Sequence, residues 1–456
     1  MGGEGRDGAP LTQNVRQQKR SQMKLLLLVG VLSLSAACAG SPDRESMQLS
    51  ATRLETDRDA AGAQAQRNIL VIQNATLIDG TGRPPVPQTT IVIHDGRISG
   101  VGREAAVPEG SQIINADGLT VLPSLIDAHV HSRSWMWPLF RQFGVTTIRN
   151  MGGDPDFIFG VSGGGIPRIY ACGPLLDGFP PVWGQSAGSV GLRSVQEARA
   201  TAELLVNRGA SCLKVYARLP HDLMRAVVEV AASRGIPVAG HVGAVSARDA
   251  VEMGVQSIEH TSGIRFPLPP EAQESLIRFL VGKGAYVVPT LFHEETYAKL
   301  PNLGNAQYPN LDLIPAIERR RWLDWRNDFR FRGQTEDFFL RLKKVAAAKA
   351  AFIKAFHNAG GKVVVGSDTP NPFSFPGLGV HEEMASLVKA GLSPTATIMS
   401  ATSVAAALLK APDLGTVEEG KLADLVLVSG DPSKDISATR NIRVVIKGGT
   451  IVHDRR

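Results

Sequence analysis

Val121-Leu122-Pro123-Ser124-Leu125-Ile126-Asp127-Ala128-His129-Val130-His131 is an apolar run that ends in two histidines one residue apart. Successive side chains of a strand alternate between faces, so residues i and i+2 point the same way. His129 and His131 are therefore expected side by side at the end of a buried strand. That arrangement suits two imidazoles on one metal ion. A lone His-x-His pair is more often an ordinary hydrogen-bonded pair than a metal site, so the rest of the chain decides.

Period and Gly/Pro punctuation predict strands over residues 124–131, 145–150, 168–172, 212–216, 237–241, 257–261, 286–290 and 363–368. Helical patterns fall at 136–143, 195–207, 221–233, 247–253, 271–282 and 337–358. Eight short strands with intervening helices are the count of an α/β (β/α)8 TIM barrel. Residues 300–332 are an insertion after strand seven, rich in Asn, Pro, Arg and Trp, that is either a lid or a surface excursion. A last helix is expected over 394–409. The glycine-rich stretches 152–165 and 173–191 do not open a helix as a phosphate-binding fingerprint would and read as barrel loops.

The two ends of the chain have a different texture. Residues 68–78, 89–101 (with the hairpin turn His94-Asp95-Gly96-Arg97) and 111–121 (turn at Asp117-Gly118) are alternating β runs. Similar runs return only at 423–428 and 442–452, with a turn at Lys447-Gly448-Gly449. Residues 67–122 and 411–456 are thus expected to form one small β-sandwich-like domain that brackets a barrel over 123–410.

Chemistry in a TIM barrel sits at the C-terminal ends of its strands. Strand one ends in His129 and His131, strand four carries Lys214 and Tyr216, strand five ends in His241, strand six in His260 and strand eight in Asp368. Five strand ends with metal-ligand residue types are hard to reconcile with chance. These motifs are similar to those of the amidohydrolase superfamily of metal-dependent hydrolases: the run ending His129-Val130-His131, Gly144 to Arg149, Lys214-Val215-Tyr216, Gly240-His241, Ile258-Glu259-His260, Gly366-Ser367-Asp368, and Gly-Lys-Leu-Ala-Asp up to Asp424. The resemblance spans about residues 68–455 and is strongest to imidazolonepropionase-like and Xaa-Pro dipeptidase-like members with a lysine on strand four.

The resemblance implies two zinc ions per chain. His129, His131 and Asp368 would hold one and His241 and His260 the other, with a hydroxide and a carbamate on Lys214 bridging them. Positive charge nearby lowers a lysine's pKa, and the neutral amine can take up carbon dioxide to give that anion. Metal ions acidify water and polarise a carbonyl, and Asp368 would take the proton and return it to the leaving nitrogen. The alternative is a mononuclear, deaminase-type site on His129, His131, His241 and Asp368, with His260 polarising the substrate and Lys214 unmodified. The implied substrates are small peptides or cyclic amides. An ester, lactone or organophosphate on the same site, and a catalytically silent binding protein, stay open.

Tyr216 shares the face of Lys214 and either contacts the substrate or packs. Asn150 stands where many relatives have Asp. His381 reads as structural rather than catalytic, and His293 follows strand seven toward the pocket. Trp135, Trp137, Phe179, Trp183 and Phe373 fall in mouth loops, as pocket lining or as packing.

The 456-residue chain carries 49 Lys/Arg against 43 Asp/Glu, net +6. Residues 1–37 hold five of the bases (Arg6, Arg16, Lys19, Arg20, Lys24) and two of the acids (Glu4, Asp7), so the remainder has 44 against 41, or +3. This gives no case for a nucleic-acid partner. Lys19, Arg20 and Lys24 before the apolar run 25–34 read as an export signal. Ser35-Ala36-Ala37-Cys38 resembles a bacterial lipobox, with Ser35 where Leu is usual, and predicts a periplasmic or cell-envelope lipoprotein anchored at Cys38, with ordinary cleavage near Ala37 or an uncleaved anchor as the alternatives. Residues 38–66 read as a polar tether. Cys172 and Cys212, in apolar runs, are expected to be buried free thiols.

Overall fold

The computed structural model describes residues 69–303 and 310–456. The expected export signal, Cys38 anchor and tether lie outside the described residues. Among the described residues no helix is long and apolar enough to cross a membrane.

The chain opens with β1 (Ile69–Leu77), β2 (Val86–His94), β3 (Arg97–Gly102), β4 (Gln112–Asn115) and β5 (Leu119–Pro123). The β2–β3 turn is Asp95-Gly96, both at positive φ (47° and 79°), the geometry a two-residue hairpin requires. The central strands are β6 (Leu125–Val130), β7 (Val145–Asn150), β8 (Arg168–Ala171), β9 (Leu175–Gly178), β10 (Ser189–Leu192), β11 (Leu213–Val215), β12 (Val238–Gly240), β13 (Ser257–Glu259), β14 (Tyr286–Val288) and β15 (Lys362–Val363). The chain closes with β16 (Leu425–Ser429), β17 (Ile442–Lys447) and β18 (Thr450–Asp454).

Both ends share one sheet. Its order is β18-β17-β16-β5-β1-β2-β3, with β4 on β1, and the join is the antiparallel β16–β5 pair. It is a single mixed sheet, with β4 and β5 parallel to β1. Inward residues from both ends, among them Ile72, Ile91, Val121, Leu427 and Val444, gather in one apolar core.

The central strands form two parallel sheets, β6-β7-β8 and β10-β9-β11-β12-β13-β14-β15. Backbone bonds run from Ala128 N to Val365 O (3.0 Å), Asp368 N to His129 O (2.8 Å) and His131 N to Thr369 O (2.8 Å), which ties β6 to the segment after β15. At the other seam Ser211 N donates to Ala171 O (2.8 Å). Helices Val195–Asn207, His221–Ser233 and Ala247–Met253 fall where the periodicity predicts them. Ser194 and Ser246 cap two of them by accepting from Glu197 N and Asp249 N (3.1 Å each).

Four expectations need correction. The stretches read as loops contain the helix Pro155–Gly160 and strands β9 and β10. The helix expected over 394–409 is two, Pro394–Ser400 and Ser403–Leu408. The insertion is no surface excursion: Trp322, Trp325 and Phe331 build an aromatic core with Phe339, Phe373 and Phe375. Finally, Cys172 and Cys212 are joined in a disulfide. Their separation of 40 residues hid the fact that strand order makes them neighbours.

Candidate metal centre

His129, His131 and Asp368 each offer one ligand atom within 4.8 Å of the others. His131 Nε2 lies 3.3 Å and His129 Nε2 3.5 Å from Asp368 Oδ1. The remaining predicted residues join the same ring. His260 is 4.5 Å from His129 and 4.8 Å from His241 between ring centroids, and Tyr216 is 4.6 Å from His241. All of them, with Lys214, line one cavity of about 660 Å³.

Backbone geometry aims them. His260 (φ 58°) and Asp368 (φ 53°) occupy the left-handed region just past their strands, a conformation costly for non-glycine residues and concentrated at functional sites. At β13 it has a specific effect. Strict alternation would send Glu259 inward and His260 outward. The positive φ at His260 turns the imidazole into the cavity while Glu259 stays beneath it.

Glu259 is the functional residue that sequence reasoning missed, although it stands within the quoted Ile-Glu-His motif. Oε2 contacts His129 Nδ1 at 2.7 Å, and Oε1 accepts from Arg149 Nη2 at 2.8 Å and Ser257 Oγ at 2.6 Å. Arg149 also donates to Ala128 O (2.7 Å). With Nδ1–H directed at the carboxylate, His129 presents Nε2 to the cavity. The Arg149 charge, with the His129 hydrogen bond, outweighs burial and holds Glu259 ionised, well below the usual carboxylate range. His260 Nδ1 is fixed in the same manner by Thr290 Oγ1 at 2.7 Å.

Burial lowers the imidazole pKa values, His129 to about 4 and His241 to about 3, with the Lys214 charge adding to both. Both are therefore neutral at pH 7, the form that binds metal. Lys214 is only 1% exposed and its Nζ has no hydrogen-bond partner. Burial first, then Arg149, pulls its pKa down to about 8 against the pull of Glu259 and Asp368. Asp368 Oδ1 is likewise buried, its nearest polar neighbours the imidazole nitrogens of His131 and His129 at 3.3 and 3.5 Å. Burial opposes its ionisation, and the facing His260, His293 and His129 outweigh it, leaving the group well below its ordinary pKa.

Around this ring, His293 reaches the cavity as expected, its Nε2 3.5 Å from Asp368 Oδ2. Lys349, not anticipated, donates to His260 O (3.1 Å) and pairs with Glu294. Of the five mouth aromatics Trp183 lines the cavity; Trp135 and Phe373 pack with the insertion's core, Trp137 packs against the main core, and Phe179 lies under Arg193. Asn150 tethers the loop after strand one by donating to Ser132 Oγ and accepting from Gly152 N (3.1 Å). His381 is structural: its two nitrogens meet Thr439 Oγ1 (2.9 Å) and Phe143 O (3.0 Å) away from the cavity.

From the insertion, Trp322 and Arg330 reach the cavity wall. Arg330 pairs with Asp328 (2.7 Å) and donates to Asn371 Oδ1 (2.9 Å) and the Tyr297 hydroxyl. The insertion is thus a fixed wall on that side.

Solved structures similar to this chain have a TIM-barrel-type α/β fold, and that is the class its architecture and site define. Residues 193–452 match the model of the amidohydrolase family, and the chain belongs to that family of hydrolases. The bottromycin amidohydrolase superimposes with a TM-score of 0.69 at 23% identity, over 86% of this chain and 89% of that one. A protein from Bifidobacterium longum, provisionally named a prolidase, gives 0.66 at 26% identity, over 85% and 96%. An adenine deaminase of Paracoccus denitrificans is 39% identical over 69 residues, 15% of this chain and 12% of that enzyme. The chain thus matches only a small part of the length of that curated relative.

Proposed function

We propose that this protein hydrolyses an amide C–N bond of a small peptide or cyclic amide at a binuclear metal centre. His129, His131 and Asp368 would hold one ion, His241 and His260 the second, and Lys214, as its carbamate, would lie between them. The observation that carries this is the buried Lys214 Nζ, which has no hydrogen-bond partner, beside the buried Asp368 carboxylate inside one ring of four histidines. An unpaired buried ammonium is strongly disfavoured; an anionic carbamate facing two cations is not. Imidazole and carboxylate ligands suit zinc.

When bound, the ions would acidify a water and polarise the scissile carbonyl. The chain's own groups do the rest. Asp368 accepts the proton of the attacking water and delivers it to the leaving nitrogen. Tyr216, whose pKa burial raises to about 12, stays protonated. Its oxygen accepts from Trp183 Nε1 (2.8 Å), which leaves its own O–H to donate to the substrate. Glu259 and Thr290 keep His129 and His260 in the required tautomers.

The two central sheets are read as one closed eight-stranded barrel, β8 and β9 together making its third strand and β10 an addition at the edge, supported by the backbone bonds at both seams, with the sheet of both chain ends as a second domain. A buried disulfide is at home in an oxidising compartment, which supports export; the lipid anchor at Cys38 rests on the sequence motif alone.

A single-ion, deaminase-type centre is the second reading, favoured by the compactness of the His129–His131–Asp368 trio and the adenine deaminase match. Zinc counting on protein grown with bicarbonate, with the mass of a Lys214 peptide recovered under non-acidic conditions, separates the two. Two zinc ions and a carboxylated lysine are expected; one zinc and a plain lysine refute the binuclear reading. A panel of dipeptides, N-acyl amino acids, cyclic amides, lactones and phosphotriesters sets the bond type. No turnover across it by the zinc-loaded protein would leave a silent binding protein.

A further inference from the structure

We propose that the Cys172–Cys212 disulfide is a positioning element of the metal centre, fixing the strands that carry Lys214 and His241. The inference rests on those two residues being ligands. Cys172 sits where the third barrel strand changes partner. β8 pairs with β7, then Cys172, Gly173 (φ 78°) and Pro174 break the strand, and β9 pairs with β11 instead, Leu175 opposite Lys214. The two parallel sheets meet at this break, and the disulfide spans it.

The sulfurs are buried and pack with Met151 and Ala239 as one cluster. Cys212 is two residues before Lys214, and Ala239, two before His241, stands opposite Lys214 in the β11–β12 ladder. The disulfide cluster therefore borders the strand ends that carry Lys214 and His241. The trio His129, His131 and Asp368 sits at the other seam, held by three backbone bonds between β6 and the segment after β15. Without the sulfur–sulfur bond β11 is no longer tied to the break between β8 and β9, and in the reduced wild type the two buried sulfurs also move apart to non-bonded contact. The first group to move is the one that offers Lys214.

The full chain is compared with a Cys172→Ala/Cys212→Ala double variant, alanine leaving no unsatisfied polar group. Thiol titration of the denatured wild type should find two more thiols after reduction by dithiothreitol, which gives up two electrons and two protons and closes to its own cyclic disulfide. In the double variant, chelator-driven zinc release should accelerate at least tenfold for the ion on His241 and His260 and by less than about threefold for the other, which loses only the shared Lys214 and keeps His129, His131 and Asp368. kcat should fall with KM within about twofold. Uniform loss of both ions would mark general destabilisation and overturn the proposal, as would wild-type release of both with wild-type kcat. If the variant does not fold, native wild type reduced in dithiothreitol, then desalted anaerobically and reloaded with zinc because the dithiol itself binds zinc, supplies the release measurement. If the wild type holds a single zinc, the binuclear reading fails by itself. The positioning role then rests on the affinity for that ion, which His241 still ligates; an unchanged affinity in the variant overturns it.

Discussion

His129 Nδ1 and Glu259 Oε2 lie 2.7 Å apart, both side chains sealed from solvent, and the far oxygen of the same carboxylate is held by Arg149. The arrangement fixes which nitrogen of His129 faces the cavity. Glu259→Gln keeps the shape and removes the charge. Metal affinity should drop about 10–100-fold, measured by competition with a chromophoric chelator. Unchanged affinity would mean that the ring is oriented by packing alone.

Asp368 and Lys214 have separable roles. Asp368→Asn keeps a ligand oxygen but cannot take a proton, so kcat should fall about 10²–10⁴-fold while part of the zinc is retained. Lys214→Ala should lose one zinc and most activity. Full activity in either variant, in a steady-state assay with the zinc count alongside, would refute the assigned role.

Trp183 Nε1 donates to the Tyr216 hydroxyl, and its ring meets Phe329 of the insertion edge-on at 5.0 Å. Trp183→Phe preserves an aromatic ring and removes only the donor. A neutral hydrogen bond is worth about 0.5–1.5 kcal/mol net. KM should therefore rise roughly 2–10-fold with kcat nearly constant. A fall in kcat at constant KM would instead assign Tyr216 to the chemical step.

Most of the ring was legible because a strand has period two and a parallel barrel aims its strand ends at one point. His129, His131, Lys214, His241 and Asp368 could be placed from those facts. Glu259 could not, since strict alternation cannot put both Glu259 and His260 toward the centre; the left-handed backbone at His260 does so, and no single residue type announces it. β9 and the disulfide were hidden for a related reason. Gly173-Pro174 looks like the end of a strand, whereas the strand only changes partner there. The insertion's role was hidden because its aromatic core forms with Phe339, Phe373 and Phe375, residues outside the inserted segment.

His381 tests acid sensitivity away from the metal. Burial lowers its pKa to about 4 in the fold, against 6.5 when exposed. Between those values the unfolded chain binds a proton that the native state does not, so stability falls as pH drops from 6.5 toward 4. The loss at this one site reaches about 3 kcal/mol. His381→Gln removes the titration. The difference in unfolding free energy between wild type and variant, by urea denaturation of apo protein, should move against the wild type across that pH range. A pH-independent difference would show that His381 does not titrate on unfolding.

Asp424 ends the Gly-Lys-Leu-Ala-Asp run and joins the outer sheet to the central strands. Oδ1 accepts from Arg168 Nη2 at 2.8 Å and from Gly448 N at 2.7 Å; Oδ2 accepts from Thr146 Oγ1 at 2.8 Å. The carboxylate is buried, so removing it leaves the Gly448 N–H without its acceptor and the partly exposed Arg168 charge without its partner, while Thr146 keeps Ser124. Losing hydrogen bonds to a charged group costs about 1.5–3 kcal/mol. Asp424→Ala should lower Tm clearly in calorimetry while the folded fraction keeps its zinc content and its kcat, because none of these partners lines the cavity. A variant of normal Tm with reduced turnover would instead mean that this junction transmits to the metal centre.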